Sequence, residues 1–145
     1  MNEPFRMKRL ASTPAKTGGI ESTTAHLVTE LMNAAVSAHK LHLKVTGTGS
    51  YAAHKALNEL YDELPELADT VAEGFQGASE TLLNCSMEKA PKVLNSVEEC
   101  VNYLRELYTM VTQVQGAMPY SEVVNDLDNV KSLLNSTKYK LLFLK

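Results

Sequence analysis

The sequence is poor in the residues that mark secreted, redox-active or membrane-spanning proteins. It contains no tryptophan and only two cysteines, Cys85 and Cys100. Their spacing matches no C-x-x-C metal or redox motif, so no disulfide framework is implied and two small reduced thiols are expected. No run of about 18 apolar residues occurs, and the N-terminus lacks the apolar core of a signal peptide. The protein is therefore expected to be soluble, cytoplasmic and unexported.

Neither positive nor negative charge is in large excess over most of the chain. The formal net charge is −3 and the pI is near 5.8, which argues against nucleic-acid binding by the charge of the body alone. Residues 1–19 differ, because they combine basic residues with Pro, Ser, Thr and Gly and contain a single acidic residue. This composition predicts a flexible arm whose basic residues are Arg6, Lys8, Arg9 and Lys16. Residues 20–145 suffice for one domain.

Apolar residues recur with helical spacing through that domain, and no strand pattern competes with them. The four apolar series run from Leu27 to Val45, from Ala53 to Phe75, from Val97 to Val114 and from Val123 to Leu141. Four long amphipathic helices predict an all-α four-helix bundle.

Local signals predict where these helices begin and end. Ser22, Thr23 or Thr24 can cap the first helix, and Ser50, after a break with two glycines, can cap the second. Ser96 and Glu99 form a capping box before the third. Residues 77–95 are too long for a simple hairpin, so they predict a crossover between the helix pairs, with room for a short helix over residues 80–83.

The first two helices each carry a second stripe beside the core stripe. At about 100° per residue, the second helix has a polar stripe roughly 120° from its core-facing residues. That stripe contains Tyr51, His54, Asn58, Asp62, Asp69 and Glu73. The first helix places His42 at the edge of its apolar face, beside Val28, Met32, Ala35 and His39. These faces predict contact with a second subunit, so a site built from them would lie between chains.

The sequence disfavours an iron centre inside a single bundle. Such a centre requires a Glu-x-x-His on each of two helices. No E-x-x-H occurs, and all four histidines lie within the first 54 residues.

The order of His42, His54, Asn58, Asp69 and Glu73 resembles the ferroxidase motif of the Dps-type miniferritins, in which two His precede Asp, Asp and Glu. The stretch HLKVTGTGSYAAHKALNELYDELPELADTVAEG is similar to the same part of that family, and the similarity covers residues 39–75. The closing stretch NSTKYKLLFLK also looks like the C-terminus of small ferritin-like proteins encoded by bacteriophages. The resemblance implies a ferritin-like bundle that assembles into a hollow dodecamer, oxidises Fe(II) with peroxide or dioxygen, and stores ferric iron.

The resemblance also implies how the ligands divide between chains. In the family, both histidines come from one subunit, and the Asp and Glu of the second helix come from its two-fold mate. His42 and His54 are therefore expected to bind iron, or zinc as a substitute, opposite Asp69 and Glu73 of the other chain. Asn58 stands where the family has Asp, and Asp62 is a candidate to compensate. Basic tails in the family often bind DNA, which implies weak, salt-dependent DNA binding by the arm.

Several features leave alternatives open. The carboxylates of the polar stripe would ordinarily form a solvated acidic face, and His26 and His39 match nothing in the motif. Pro65 removes a hydrogen bond from the second helix and is expected to kink it. Without tryptophan, tyrosines such as Tyr51 and Tyr61 are left to quench stray oxidising equivalents. The alternative function is a ferritin-like structural or binding protein that lacks ferroxidase activity.

Overall fold

The computed structural model describes the backbone of residues 2–145 and the side chains of residues 19–145. The helices are α1 (Asn2–His42), α2 (Ser50–Ser79), α3 (Val97–Ala117) and α4 (Ser121–Phe143), and no strand occurs in the described part of the chain. The predicted all-α four-helix bundle is confirmed. The predicted basic arm stays a prediction, because the side chains of Arg6, Lys8, Arg9 and Lys16 lie outside the described residues.

The apolar series of the four helices form one core. The residues at helical spacing in these series are buried, except for Val45, Leu67 and Val97, which are half-buried. The largest fully buried side chains are those of Phe75, Leu27, Leu31, Leu41, Leu57, Leu60, Leu64, Leu104, Leu107, Leu127 and Leu134, together with Val28. Over the described residues, no helix is long and apolar enough to cross a membrane.

A long crossover connects the two helix pairs. Helix α1 packs against α2 and α3, and α4 packs against the same two helices. The crossover runs beside α1 in the same direction, since Asn33 donates to the Lys89 carbonyl (3.2 Å) and Lys44 donates to Asn95 Oδ1 (3.2 Å). It therefore returns the chain to the end of α1 before α3 begins. The short helix predicted over residues 80–83 is wrong, because α2 continues to Ser79 and Glu80 then leaves the helix with φ at 58°.

A buried carboxylate holds the crossover against the bundle. Glu30 is only 6% exposed; its Oε1 lies 2.7 Å from Lys89 Nζ, and its Oε2 accepts a hydrogen bond from the Tyr103 hydroxyl (3.2 Å). Burial raises the pKa of Tyr103, and the negative charge of Glu30 raises it further. The tyrosine is thus a stable hydrogen-bond donor that ties α3 to α1.

The predicted helix boundaries are partly correct. The Ser22–Thr24 cap is wrong, because these residues lie inside α1, where Thr23 Oγ1 donates to the Gly19 carbonyl (2.9 Å). The N-cap of α2 is Gly49 and not Ser50; its φ of 81° suits glycine, as does the 88° of Gly47. At α3 the Ser96 hydroxyl accepts from the Glu99 amide (3.1 Å), which confirms that cap.

Two further predictions concern Pro65 and the cysteines. Helix α2 continues through Pro65, and the predicted kink stays a prediction. Both cysteines are free; Cys100 is buried and Cys85 is half-buried. Burial raises the pKa of the Cys100 thiol to about 12, so this thiol is protonated and unreactive at neutral pH.

Candidate metal site at the end of α1

The end of α1 and the first half of α2 bring three histidines and a tyrosine together, because the short turn over residues 43–49 folds the two helices side by side. The ring centroids of His42 and His54 are 4.2 Å apart and the rings are stacked. The rings of His39 and Tyr61 stack at 3.8 Å, and the Tyr61 ring meets His42 edge-on at 4.9 Å. We call these four residues and Asn58 the histidine cluster. His42 is buried, His54, Asn58 and Tyr61 are half-buried, and His39 is exposed.

Main-chain carbonyls orient both motif imidazoles. His42 Nδ1 lies 2.8 Å from the His39 carbonyl oxygen, and His54 Nδ1 lies 3.0 Å from the His42 carbonyl oxygen. A carbonyl oxygen can only accept, so each Nδ1 carries the proton. Both carbonyls belong to the last turn of α1, where carbonyls lack helical partners. In its neutral form, each ring would therefore present an unprotonated Nε2 on its opposite edge.

A hydrogen-bonded chain of polar groups continues along α2 from His42. Tyr61 Oη lies 3.3 Å from His42 Nε2 and donates to Asn58 Oδ1 at 2.8 Å. Asn58 Nδ2 in turn donates to Asp62 Oδ2 at 2.9 Å. Asp62 is exposed and does not reach the imidazoles in these contacts; it holds the amide of Asn58 with its carbonyl oxygen toward Tyr61.

The two remaining motif carboxylates lie elsewhere on the same protomer. Asp69 and Glu73 are exposed on α2, 11 and 15 residues beyond Asn58. With a rise of 1.5 Å per residue, they lie about 16 and 22 Å further along the helix axis. Among the described residues of one protomer, no group of three or more His, Cys, Asp or Glu is placed to hold a metal ion. A site that uses Asp69 and Glu73 with the histidines therefore requires a second chain.

Sequence reasoning did not identify two members of the cluster. His39 was interpreted as a surface or interface histidine; it is exposed, and its ring is stacked on Tyr61. The available signal was the i, i+3 spacing of His39 and His42, which places the two rings on one helix face. The position of Tyr61 had no comparable signal, because its contact with His42 depends on how α1 and α2 pack. His26 is exposed, as expected.

An exposed apolar stripe lies next to the histidine cluster on α1. The predicted stripe is partly wrong, because Val28 and Ala35 are buried in the protomer's own core. The side chains that do face outward are Met32 (38% exposed), Val36 (41%), His39 and Leu43 (74%), and Tyr51 of α2 (76%) adds to them. The spacing of 32, 36, 39 and 43 places three residues of α1 and Leu43, which directly follows it, on one face. We call them the α1 stripe.

The fold and this cluster define an all-α bundle with a histidine-rich candidate metal site at one helix end. The chain matches a family of unknown function (DUF5856) over residues 42–141 and belongs to that family. The matched segment includes His42, His54, Asn58, Asp62, Asp69 and Glu73. A comparison with curated proteins finds no match.

Proposed function

We propose that the protein is a Dps-like miniferritin that oxidises Fe(II) between two chains and stores the ferric product in a hollow homo-oligomer. His42, His54 and Asn58 of one chain face Asp69 and Glu73 of its two-fold mate. Iron is the substrate of this site. The observation that best supports the proposal is the orientation of the two imidazoles, since a metal-binding histidine almost always donates its other ring nitrogen to an oxygen such as a main-chain carbonyl.

The surroundings of the imidazoles also favour a cation. The C-terminal end of a helix carries a partial negative charge; His42 lies in the last turn of α1, and His54 of α2 contacts the His42 carbonyl. Imidazole nitrogen together with amide and carboxylate oxygen is a donor set that suits Fe(II). The stacked ring centroids are 4.2 Å apart, a separation that suits two neighbouring ions, because the ions of two-metal sites lie about 3.5 to 4 Å apart.

Each part of the site has its own task in the proposed reaction. The imidazoles bind Fe(II) through Nε2, and the partner's carboxylates supply the negative charge that favours Fe(III) over Fe(II). Two Fe(II) ions together give two electrons to one hydrogen peroxide molecule; its O–O bond breaks, and with two protons it forms two water molecules. Dioxygen is the alternative oxidant. We place the activity in the cytoplasm, where Cys85 and Cys100 stay as free thiols.

Metal binding is the direct test of this proposal. Calorimetric titration with Zn(II), and with Fe(II) under anaerobic conditions, should show binding to the wild-type oligomer and a loss of affinity of about 100-fold or more in His54→Ala. His26→Ala is the matched control, because His26 is an exposed histidine of the same helix pair outside the cluster. Equal affinity of the two variants, or no binding by the wild type, would contradict the proposal.

A second candidate function is a ferritin-like binding or structural protein that lacks ferroxidase activity. Asn58 favours it, because a neutral amide stands at the position of a family carboxylate and is hydrogen-bonded to both Tyr61 and Asp62. In this alternative, the two Nδ1 hydrogen bonds serve only to satisfy the last carbonyls of α1.

Asn58→Asp distinguishes the two candidate functions. A carboxylate at this position adds one negative charge beside His42, so Zn(II) affinity is expected to rise, on the order of tenfold. Asn129→Asp, an exposed position of α4, is the control for added negative charge and should leave the affinity unchanged. Oxidation of Fe(II) by Asn58→Asp, with none by the wild type, would assign the second function.

We also propose that the basic arm binds DNA weakly. If all four basic residues contact phosphates, DNA affinity should fall about 100-fold between 50 and 200 mM salt. Deleting residues 1–18 should abolish retardation of DNA in a low-salt gel and leave the oligomer intact. A full-length variant with Gln at positions 6, 8, 9 and 16 should behave as the deletion does. Unchanged retardation in both variants would show that the arm is not the DNA contact.

A further inference from the structure

The Tyr61 hydroxyl lies between two of the ligands proposed for iron. This hydroxyl has one proton, yet it faces two acceptors, Asn58 Oδ1 at 2.8 Å and His42 Nε2 at 3.3 Å. His42 cannot supply a second proton in its neutral form, because its Nδ1 proton points to the His39 carbonyl. Asn58 cannot supply one either, since its amide protons lie on Nδ2, which donates to Asp62. With His42 in its neutral form, the three atoms Tyr61 Oη, Asn58 Oδ1 and His42 Nε2 would thus share a single proton.

The two separations that involve Tyr61 Oη are close to those of ligands on one metal ion. Two oxygen or nitrogen donors on an octahedral or tetrahedral ion, each about 2.1 Å from it, lie about 3.0 to 3.4 Å apart. Tyr61 Oη is 3.3 Å from His42 Nε2 and 2.8 Å from Asn58 Oδ1. An ion that binds Oη together with either neighbour would therefore require only a small movement, in which the 2.8 Å pair opens slightly.

Charge supplies the second argument. In one protomer the two imidazoles and the Asn58 amide carry no negative charge, and the nearest carboxylate, that of Asp62, is hydrogen-bonded to Asn58 Nδ2 and does not reach His42. A phenolate would supply that charge, and it is a hard oxygen donor, of the kind that ferric iron prefers. The ring of Tyr61 is already fixed by its stacking on His39 at 3.8 Å and by its packing against the core. Little conformational entropy would therefore be lost when the oxygen binds.

We propose that Tyr61 is an iron ligand, binding Fe(III) through Oη beside His42 and taking the charge role that Asn58 cannot fill. This inference rests on the proposed function, because it assigns a further ligand to the same iron site. On binding, the O–H bond of Tyr61 breaks, an oxygen–iron bond forms, and the proton passes to the solvent. No electron is transferred in this step when iron is supplied as Fe(III).

A ferric phenolate has a charge-transfer absorption in the visible region, which imidazole, amide and carboxylate ligands do not produce. The test is a titration of the intact oligomer with ferric nitrilotriacetate at mildly alkaline pH. The wild type should develop the visible band and the resonance Raman lines of a metal-bound tyrosinate. Tyr61→Phe should lose both while keeping its ring packing and its helical circular dichroism.

Tyr139→Phe is the matched control, because Tyr139 lies on α4, is 54% exposed and packs its ring against Phe143. It should keep the band. A band that persists in Tyr61→Phe would overturn the inference, as would its absence from a wild type that binds Zn(II) by calorimetry; in both cases the proposed function would stand. A wild type that binds neither ion would overturn the proposed function as well.

Discussion

His54→Ala and Glu73→Ala should each slow Fe(II) oxidation at least about 100-fold, because each removes a direct ligand, and loss of even a supporting group around a metal typically costs 10- to 100-fold. Glu73 is exposed and about 28 Å from His54 along the axis of α2, at 1.5 Å per residue. These two residues are far apart in one protomer, so both substitutions are expected to slow the same reaction only if the site lies between chains. The rate is measured from the absorbance of the ferric product.

Combining the two variants should partly restore the activity. In a symmetric dimer, each site takes its histidines from one chain and its carboxylates from the other. A mixed dimer therefore has one site with both defects and one site with neither. Random pairing of equal amounts makes half of the dimers mixed, so about a quarter of all sites are intact. Co-expressed, differently tagged chains should recover about that fraction of the wild-type rate.

Two controls limit the interpretation of that experiment. Chains purified separately and mixed without exchange should show no recovery, because no mixed dimers form. Co-expression of His54→Ala with His42→Ala should also show none, since both defects lie in the same half of the site. No recovery in the co-expressed His54→Ala and Glu73→Ala pair, with mixed dimers verified by their tags, would contradict the division of ligands between chains.

Met32→Glu combined with Val36→Glu should break the oligomer into protomers. The two side chains are 38% and 41% exposed and lie next to each other on the α1 stripe. A two-fold contact is self-complementary, so each substitution brings like charges together across the symmetry axis. Apolar surface is lost from the interface at the same time, at about 25 cal/mol per Å². Sedimentation velocity should show a single slow species in place of a large one.

Met87→Glu is the matched control for charge, because Met87 is 95% exposed on the crossover and does not belong to the α1 stripe. It should leave the sedimentation of the oligomer unchanged. The double variant should keep the helical circular dichroism of the wild type, since neither side chain is part of the buried core. An unchanged sedimentation coefficient for the double variant would place the dimer contact on another face.

The apolar periodicity was sufficient to predict the bundle and most of its core. Residues such as Leu57, Leu64 and Phe75 recur at helical spacing because each must face the same interior, and all three are fully buried. The pattern could not show that α1 buries a wider face, which includes Val28 and Ala35. It also could not show where α1 begins, because Ser22, Thr23 and Thr24 are compatible with a cap and with a helix interior.

The candidate site was predictable from the sequence only for residues whose approach depends on a short local segment. His42 and His54 flank a turn with glycine at two positions of positive φ, so their approach follows from local sequence. The contact of Tyr61 with His42 depends on the packing angle of α1 against α2, which no motif specifies. The residues opposite Asp69 and Glu73 depend on a second chain, and the sequence motif does not specify how two protomers pack against each other.

The mass of the wild-type protein in solution tests the central claim, an iron site shared between chains, most directly. A chain of 15.9 kDa cannot bring Asp69 and Glu73 to the histidines of its own bundle. Light scattering at micromolar concentration should therefore give a multiple of the dimer mass, and the dodecamer implied by the family resemblance would have about twelve times the chain mass, near 190 kDa. A mass of 15.9 kDa would contradict the account, because a lone protomer cannot form the proposed site.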